Sequence, residues 1–184
     1  MIIEKPIIGK HVIMRSVECG DAEFILKLRL DESIRKFISP TENNVEKQIQ
    51  WIQEQREREG DYYFLYTDLN GENLGVISVY NVKDGTGETG RQMSFGGSIH
   101  NMEAEYLLMC FAFETLKLNK TTSTAYLTNK KAISKARKLG IRLDKIIQVN
   151  GKDSYYTEIT VADFYCTWKL RMESYLAKVE NLEL

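Results

Sequence analysis

The spacing of hydrophobic positions changes along the chain, and each change marks an element. Over residues 11–16, Val12 and Met14 alternate with Ile13 and Arg15, the two-residue period of a short strand ahead of Gly20-Asp21. Asp21 stands where a helix cap belongs, and Phe24, Ile25 and Leu28 make one face of a helix running to about Leu30. After Pro40, Asn43 and Glu46 have capping-box spacing, Val45, Ile49 and Ile52 form the stripe, and Gly60 is the natural stop. The charged run 54–59 is then the solvated end of that helix.

Two β-rich runs follow, 62–67 and 74–80, with a turn containing Asn70-Gly71 between them. A glycine-rich connection over 84–90 leads to an extended stretch ending near Phe95. Residues 102–118 then take helical spacing, with Met102, Tyr106, Cys110 and Phe113 on one face and Leu108, Phe111 and Ala112 widening it. Residues 121–127 read as a β-branched strand, and Ala132, Ile133, Ala136 and Leu139 as a shorter helix closed by Gly140. Residues 141–149 and 155–165 form a last hairpin across Asn150-Gly151. From Trp168 onward Met172, Tyr175, Leu176 and Val179 make an amphipathic helix. The order predicts an α/β fold with about seven strands flanked by helices, arranged as residues 1–166 in one domain and 167–184 as a C-terminal helix packed on that domain or on a partner subunit.

Composition removes several functional classes. With 184 residues the chain is sized for one domain, and 25 Lys+Arg against 26 Asp+Glu lacks the basic excess of a nucleic-acid binder. The first residues lack the pattern of a signal peptide, and no run approaches the ~20 apolar residues that span a bilayer, so a cytoplasmic protein with no membrane partner is expected. Cys19, Cys110 and Cys166 are scattered, and His11 and His100 are the only histidines, so neither a disulfide framework nor a metal site is expected.

Several fragments, in order, resemble the GCN5-related N-acetyltransferase (GNAT) superfamily: Leu74-Gly75-Val76-Ile77-Ser78; Glu103-Ala104 with Phe111-Ala112-Phe113-Glu114 and Leu118-Asn119-Lys120; and Asn129, Ala132-Ile133 and Lys138-Leu139-Gly140-Ile141. Near the N-terminus, Leu28-Arg29, residues 33–38 and Gln50-Trp51-Ile52 resemble the ribosomal-protein and nucleotide-amino-sugar branches, with overall spacing nearer the amino-sugar branch. The resemblance implies a mixed sheet splayed between two strands and acetyl-CoA as co-substrate. Backbone groups of Arg91, Gln92, Met93 and Ser94 would hold the pantetheine arm. The diphosphate would lie on the loop Gly96, Gly97, Ser98, Ile99, His100 and Asn101, with Asn129 also on the cofactor side.

Two positions depart from the family pattern. The loop usually reads Gln/Arg-x-x-Gly-x-Gly/Ala, and here Gly96, Ile99 and Asn101 stand at its basic, first-glycine and small positions. Alignment also puts Ala136 where many members carry a tyrosine acid, leaving Ser134 or Tyr126 as substitutes. Glu88 is the preferred base, with a solvated carboxylate as the plain alternative and His100 as a second candidate. Arg29 and Arg35 suit acceptor phosphates, although such arginines more often form surface ion pairs. The implied activity is transfer of acetyl from acetyl-CoA to a primary amine of a small molecule, an amino sugar or nucleotide-linked amino sugar. A degenerate scaffolding protein and a protein N-terminal acetyltransferase are the alternatives. A homodimer through the terminal helix is a further possibility.

Overall fold

The computed structural model describes residues 1–180. Its eight strands form one sheet in the order β1-β2-β3-β4-β5-β6-β8-β7. They are β1 (Ile7–Ile8), β2 (Ile13–Ser16), β3 (Tyr62–Thr67), β4 (Asn73–Lys83), β5 (Thr86–Ser94), β6 (Lys120–Tyr126), β7 (Lys145–Val149) and β8 (Lys152–Thr160). The eighth strand beyond the expected seven is the two-residue β1, too short to show a period.

Alternation along β3 and β4 builds two cores. Tyr63, Leu65 and Val76 face α1 (Ala22–Leu30) and α3 (Val45–Glu57), where Ile25, Leu28 and Ile52 are buried. Phe64, Tyr66 and Ile77 face the opposite side, against α4 (Ser98–Cys110) and α7 (Lys169–Glu180), with Leu108, Phe113, Trp168 and Met172. Gly75 is required in β4 because a Cβ there would stand 2.6 Å from both the Met93 carbonyl oxygen and the Tyr66 hydroxyl.

Several local expectations shift. Asp21 precedes α1 but makes no side-chain cap bond; its carboxylate instead accepts from Arg15 and the Glu18 N–H. The cap of α3 is Asn44, which accepts the Lys47 N–H at 2.8 Å, in place of Asn43. A short α2 (Glu32–Arg35), capped by Asp31, lies in a segment too brief for a stripe. The glycine-rich 84–90 segment is mostly strand: Asp84 and Gly85, at φ 50° and 73°, make a tight hairpin, and β5 runs on from Thr86. Gly87 fits inside that strand because a Cβ would meet Leu118 Cδ1 at 2.9 Å.

The central helix begins at Ser98, four residues ahead of the expected Met102, and ends in a π-helical turn over Phe111–Thr115. α5 (Lys130–Lys138) stops before Gly140 at φ 75°, as expected, and Asn150-Gly151 at φ 50° and 72° closes the last hairpin. The C-terminal helical run starts at α6 (Val161–Asp163), where Thr160 and Asp163 form a capping box, and passes through a π-helical turn at Phe164–Trp168 into α7. It packs on its own domain: Trp168 and Met172 are buried, and Tyr106 donates to Glu173 at 2.7 Å. Of the expected 167–184 helix, residues 181–184 lie outside the described residues. No described helix is long and apolar enough to cross a membrane, and no described group of three His, Cys, Asp or Glu side chains could hold a metal.

Candidate active site

The sheet opens at its one parallel junction. β5 and β6 pair only at Thr86↔Lys120, Gly87↔Thr121 and Glu88↔Thr122. Beyond Glu88, β5 stays with β4 as far as Ser94, while β6 follows β8 as far as Tyr126. The strands therefore diverge, and one edge of β5 from Thr89 to Ser94 is left without a β6 partner. A register shift between Ser78↔Gly90 and Val76↔Met93 bulges β5 at Arg91, whose φ is 53°.

Next to this opening lies a cleft of about 580 Å³, bounded by α1, the 37–44 loop, α3 and the diverging strands. Arg29, Lys47, Trp51, Tyr80, Arg91 and Tyr126 supply its functional side chains. Lys47 is paired with Glu42 at 2.5 Å. Arg29 has neutral partners: Nε donates to Thr41 Oγ1 at 2.6 Å and Nη2 reaches the Ser39 carbonyl at 3.5 Å. Burial lowers its pKa, Tyr63 partly offsets this, and the neighbouring Arg91 charge lowers it further. Arg29 is thus a half-buried cation in the cleft wall with no carboxylate bonded to it.

The proposed site residues separate into groups. Arg35 is exposed and does not line the cleft, whereas Arg29 does. Glu88 lies on β5 outside the lining, accepts from Asn81 Nδ2 at 2.8 Å, and stands opposite Tyr80 in the ladder. The Tyr80 phenol is raised by burial and then by the Glu88 charge, with Arg91 opposing. Tyr126 lines the cleft, and its hydroxyl accepts from Asn150 Nδ2 at 3.4 Å. Ser134 lies instead in a separate cavity of about 270 Å³ beside Lys130, Arg137 and Tyr155. Asn129 lines the cleft while its side chain caps α5 by accepting the Ala132 N–H at 3.2 Å.

At the loop expected to hold a diphosphate, Gly97 is the N-cap of α4, so the first turn leaves the N–H groups of Ser98, Ile99 and His100 without helical acceptors. The Ile99 side chain is buried in the domain, leaving its N–H as its contribution. Asn101 braces the loop: Nδ2 donates to the Gly96 carbonyl at 2.9 Å and Oδ1 accepts from Tyr66 at 2.7 Å. The Ser98 hydroxyl is 3.1 Å from the Tyr175 hydroxyl, and the Ser94 hydroxyl donates to the Leu74 carbonyl at 2.9 Å. His100 Nδ1 is buried without a hydrogen bond, and His100 does not line the cleft. Gln92 donates to the Asn101 carbonyl at 3.1 Å and accepts from Lys135, which also pairs with Glu105 and so ties α5 to α4 and β5 across the opening. Met93 is largely buried and contributes to the cleft lining itself.

The sequence of residues 11–142, which spans the splayed junction and the helix after the open strand, matches the model of the acetyltransferase (GNAT) domain. The chain belongs to the GNAT acetyltransferase family. GNAT members generally use acetyl-CoA as co-substrate and act on small-molecule or protein amines. No curated protein sequence matches the chain. Among solved structures, a GCN5-related N-acetyltransferase from Brucella melitensis is similar at TM-score 0.77 and 15% identity, covering 95% of this chain and 86% of that one. FdhC, a nucleotide-linked sugar GNAT, is similar at TM-score 0.75 and 20% identity, over 89% and 94% of the two chains. A variant of the spermidine N-acetyltransferase SpeG from Vibrio cholerae is similar at TM-score 0.73 and 15% identity, over 85% and 98%. At these identities the likeness is one of fold.

Sequence reasoning missed Trp51 as a site residue, Tyr80 and Asp61. Each is unremarkable in its own segment, and no local spacing connects them.

Proposed function

We propose that this GNAT domain moves the acetyl group of acetyl-CoA onto a primary amine of a small molecule that also carries an anionic group, the class to which nucleotide-linked amino sugars belong. The observation that carries the reading is Arg29. A half-buried guanidinium bonded only to a hydroxyl and a carbonyl favours a ligand that brings the missing negative charge, and phosphate matches its geometry. A polyamine would instead add like charge beside Arg29, since the other lining cations, Lys47 and Arg91, are already paired with Glu42 and Asp61.

The chain's own groups suit the cofactor. The free edge of β5 over 91–94 offers backbone donors and acceptors to the pantetheine amides. The Ser98, Ile99 and His100 N–H groups, at the positive end of the α4 dipole, suit the diphosphate, and Gly96-Gly97 allows close approach. Asn129 serves this side by holding the head of α5 in place.

Acetyl-CoA supplies an activated acetyl thioester. The chain presents a neutral amine to it and gives the developing oxyanion backbone N–H donors at the β5 bulge. Glu88, acting through the adjacent Tyr80 hydroxyl, takes the amine proton, and Tyr126 supplies a proton to the departing sulfur in place of the acid lost at Ala136. Residues 1–166 carry this chemistry, with the C-terminal helix buttressing α4.

Calorimetric titration with acetyl-CoA tests the first step, and thiol release with nucleotide-linked amino sugars, polyamines and N-terminal peptides tests the acceptor. Absence of cofactor binding at millimolar concentration overturns the transfer reading. Turnover with polyamines or peptides alone overturns the acceptor class.

A further inference from the structure

The Arg91 guanidinium carbon lies 4.0 Å from the centroid of the Tyr80 ring and 5.6 Å from that of Trp51. Its Nη1 donates to both carboxylate oxygens of Asp61, at 2.8 and 3.0 Å. Two aromatic rings and a carboxylate around one point are the elements of a cage for an ammonium ligand, since ring faces and carboxylate all attract positive charge. Here the chain's own cation fills it. Arg91 does so from a left-handed backbone, φ 53°, that an arginine adopts only at some cost, so the surrounding structure holds it there.

The cage belongs to the acceptor cleft: Trp51, Tyr80 and Arg91 all line it. Its floor does not depend on Arg91. The Asp61 side chain is only 2% exposed and keeps two other partners, Gln55 Nε2 at 3.1 Å and Arg58 Nη1 at 3.2 Å.

We propose that Arg91 is a specificity-determining plug, occupying a cation cage in the cleft wall so that acceptors bearing a second ammonium group are refused. An ammonium nitrogen placed where the guanidinium carbon now lies would face both rings and the Asp61 carboxylate. With Arg91 present, that position is filled and the same group meets like charge. Discrimination here comes from an element that repels the wrong acceptor, alongside Arg29, which attracts the right one. The inference rests on reading the cleft as the acceptor site, but the cage itself can be tested without acetyl transfer.

The test is Arg91→Gly, a substitution that the left-handed backbone favours and that leaves Asp61 bonded to Gln55 and Arg58. Wild type and variant are titrated calorimetrically with cadaverine and with spermidine in the absence of cofactor, and circular dichroism checks that both are folded. The variant should bind these amines at least about tenfold more tightly than wild type, the scale of one cation–π contact in a desolvated site. Adding Asp61→Asn should remove the gain. Arg91→Gln carries the same expectation and stands in if the glycine variant is unfolded. Equal affinities in wild type and the folded variant overturn the plug, as does a gain that survives Asp61→Asn. Failure of acetyl-CoA to bind would overturn the transfer reading and leave this comparison intact.

Discussion

The Glu103 carboxylate in α4 accepts the Val12 N–H at 2.9 Å, and with it those of Lys10 and His11 at 2.7–2.8 Å. One buried side chain thus gathers three successive backbone donors at the entry to β2, fixing that side of the sheet to the helix that follows the open edge of β5. Gly9 permits the approach, since a Cβ there would stand 2.7 Å from the Glu103 carboxyl carbon. Glu103→Gln replaces one acceptor oxygen by a donor facing N–H groups, and should cost about 2 kcal/mol of stability in urea titration. Gly9→Ala should act in the same direction.

Arg29→Met removes the cleft's unneutralised charge while keeping an apolar stem of similar length. The KM for an anionic acceptor should rise at least tenfold, the scale of one lost charge-assisted contact, while acetyl-CoA affinity measured by calorimetry stays unchanged. Arg35→Met, at an exposed position outside the cleft, should leave both unchanged.

The proton donor separates by position. Tyr126→Phe should lower kcat by roughly 10²-fold, the lower end for loss of a general acid, with little change in cofactor affinity. Ser134→Ala should have no effect, because Ser134 lines the other cavity. Glu88→Gln should depress kcat more than it weakens acetyl-CoA affinity measured by calorimetry; an unchanged kcat would remove Glu88 from the base role.

The start of the C-terminal helical run should be acid-labile. The Thr160 hydroxyl donates to Asp163 at 2.7 Å and the Thr160 N–H at 3.2 Å, and these bonds hold the Asp163 carboxyl below its ordinary value of 3.8. A depressed carboxylate stabilises the fold above 3.8, and the contribution disappears as pH falls through the lower folded value. Asp163→Asn should therefore lower stability at neutral pH, with the difference from wild type shrinking below pH 3.8 in denaturant titrations.

Gly75→Ala tests the close approach of β4 to its neighbours. A methyl group at 2.6 Å from the Met93 carbonyl and Tyr66 hydroxyl must push β5 aside. The thermal midpoint should fall by several degrees, as expected for overpacking that costs about 1–3 kcal/mol.

Much of the fold was legible because short-range physics decides it. Asn150-Gly151 turns where left-handed φ is cheap, at 50° and 72°, and the apolar stripe Val45, Ile49, Ile52 has one helical solution. The family order of fragments carried the rest of the fold class. Local signals failed where packing overrides them. Glycines over 84–90 read as a loop, yet Gly87 and Gly90 sit in β5, the first beneath Leu118 and the second against the Tyr80 ring. Asn44 takes the cap next to Asn43, its Oδ1 accepting the Lys47 N–H and its carbonyl the Gln48 N–H.

Periodicity and turn chemistry were enough to specify an α/β domain, the order of resembling fragments pointed to an acetyltransferase, and Arg29 and Arg35 stood as equal candidates for an anion. The cleft needed the folded chain. Arg29, Trp51, Tyr80, Arg91 and Tyr126 come from two helices and three strands, and nothing at the spacing of a turn or a strand connects them. The same is true of Asp61 beneath Arg91 and of Glu103 beneath Val12. Side-chain periodicity reports which face of an element is buried, and only the closing of the sheet around its splayed junction decides which charges meet there and which has no carboxylate against it among the described residues.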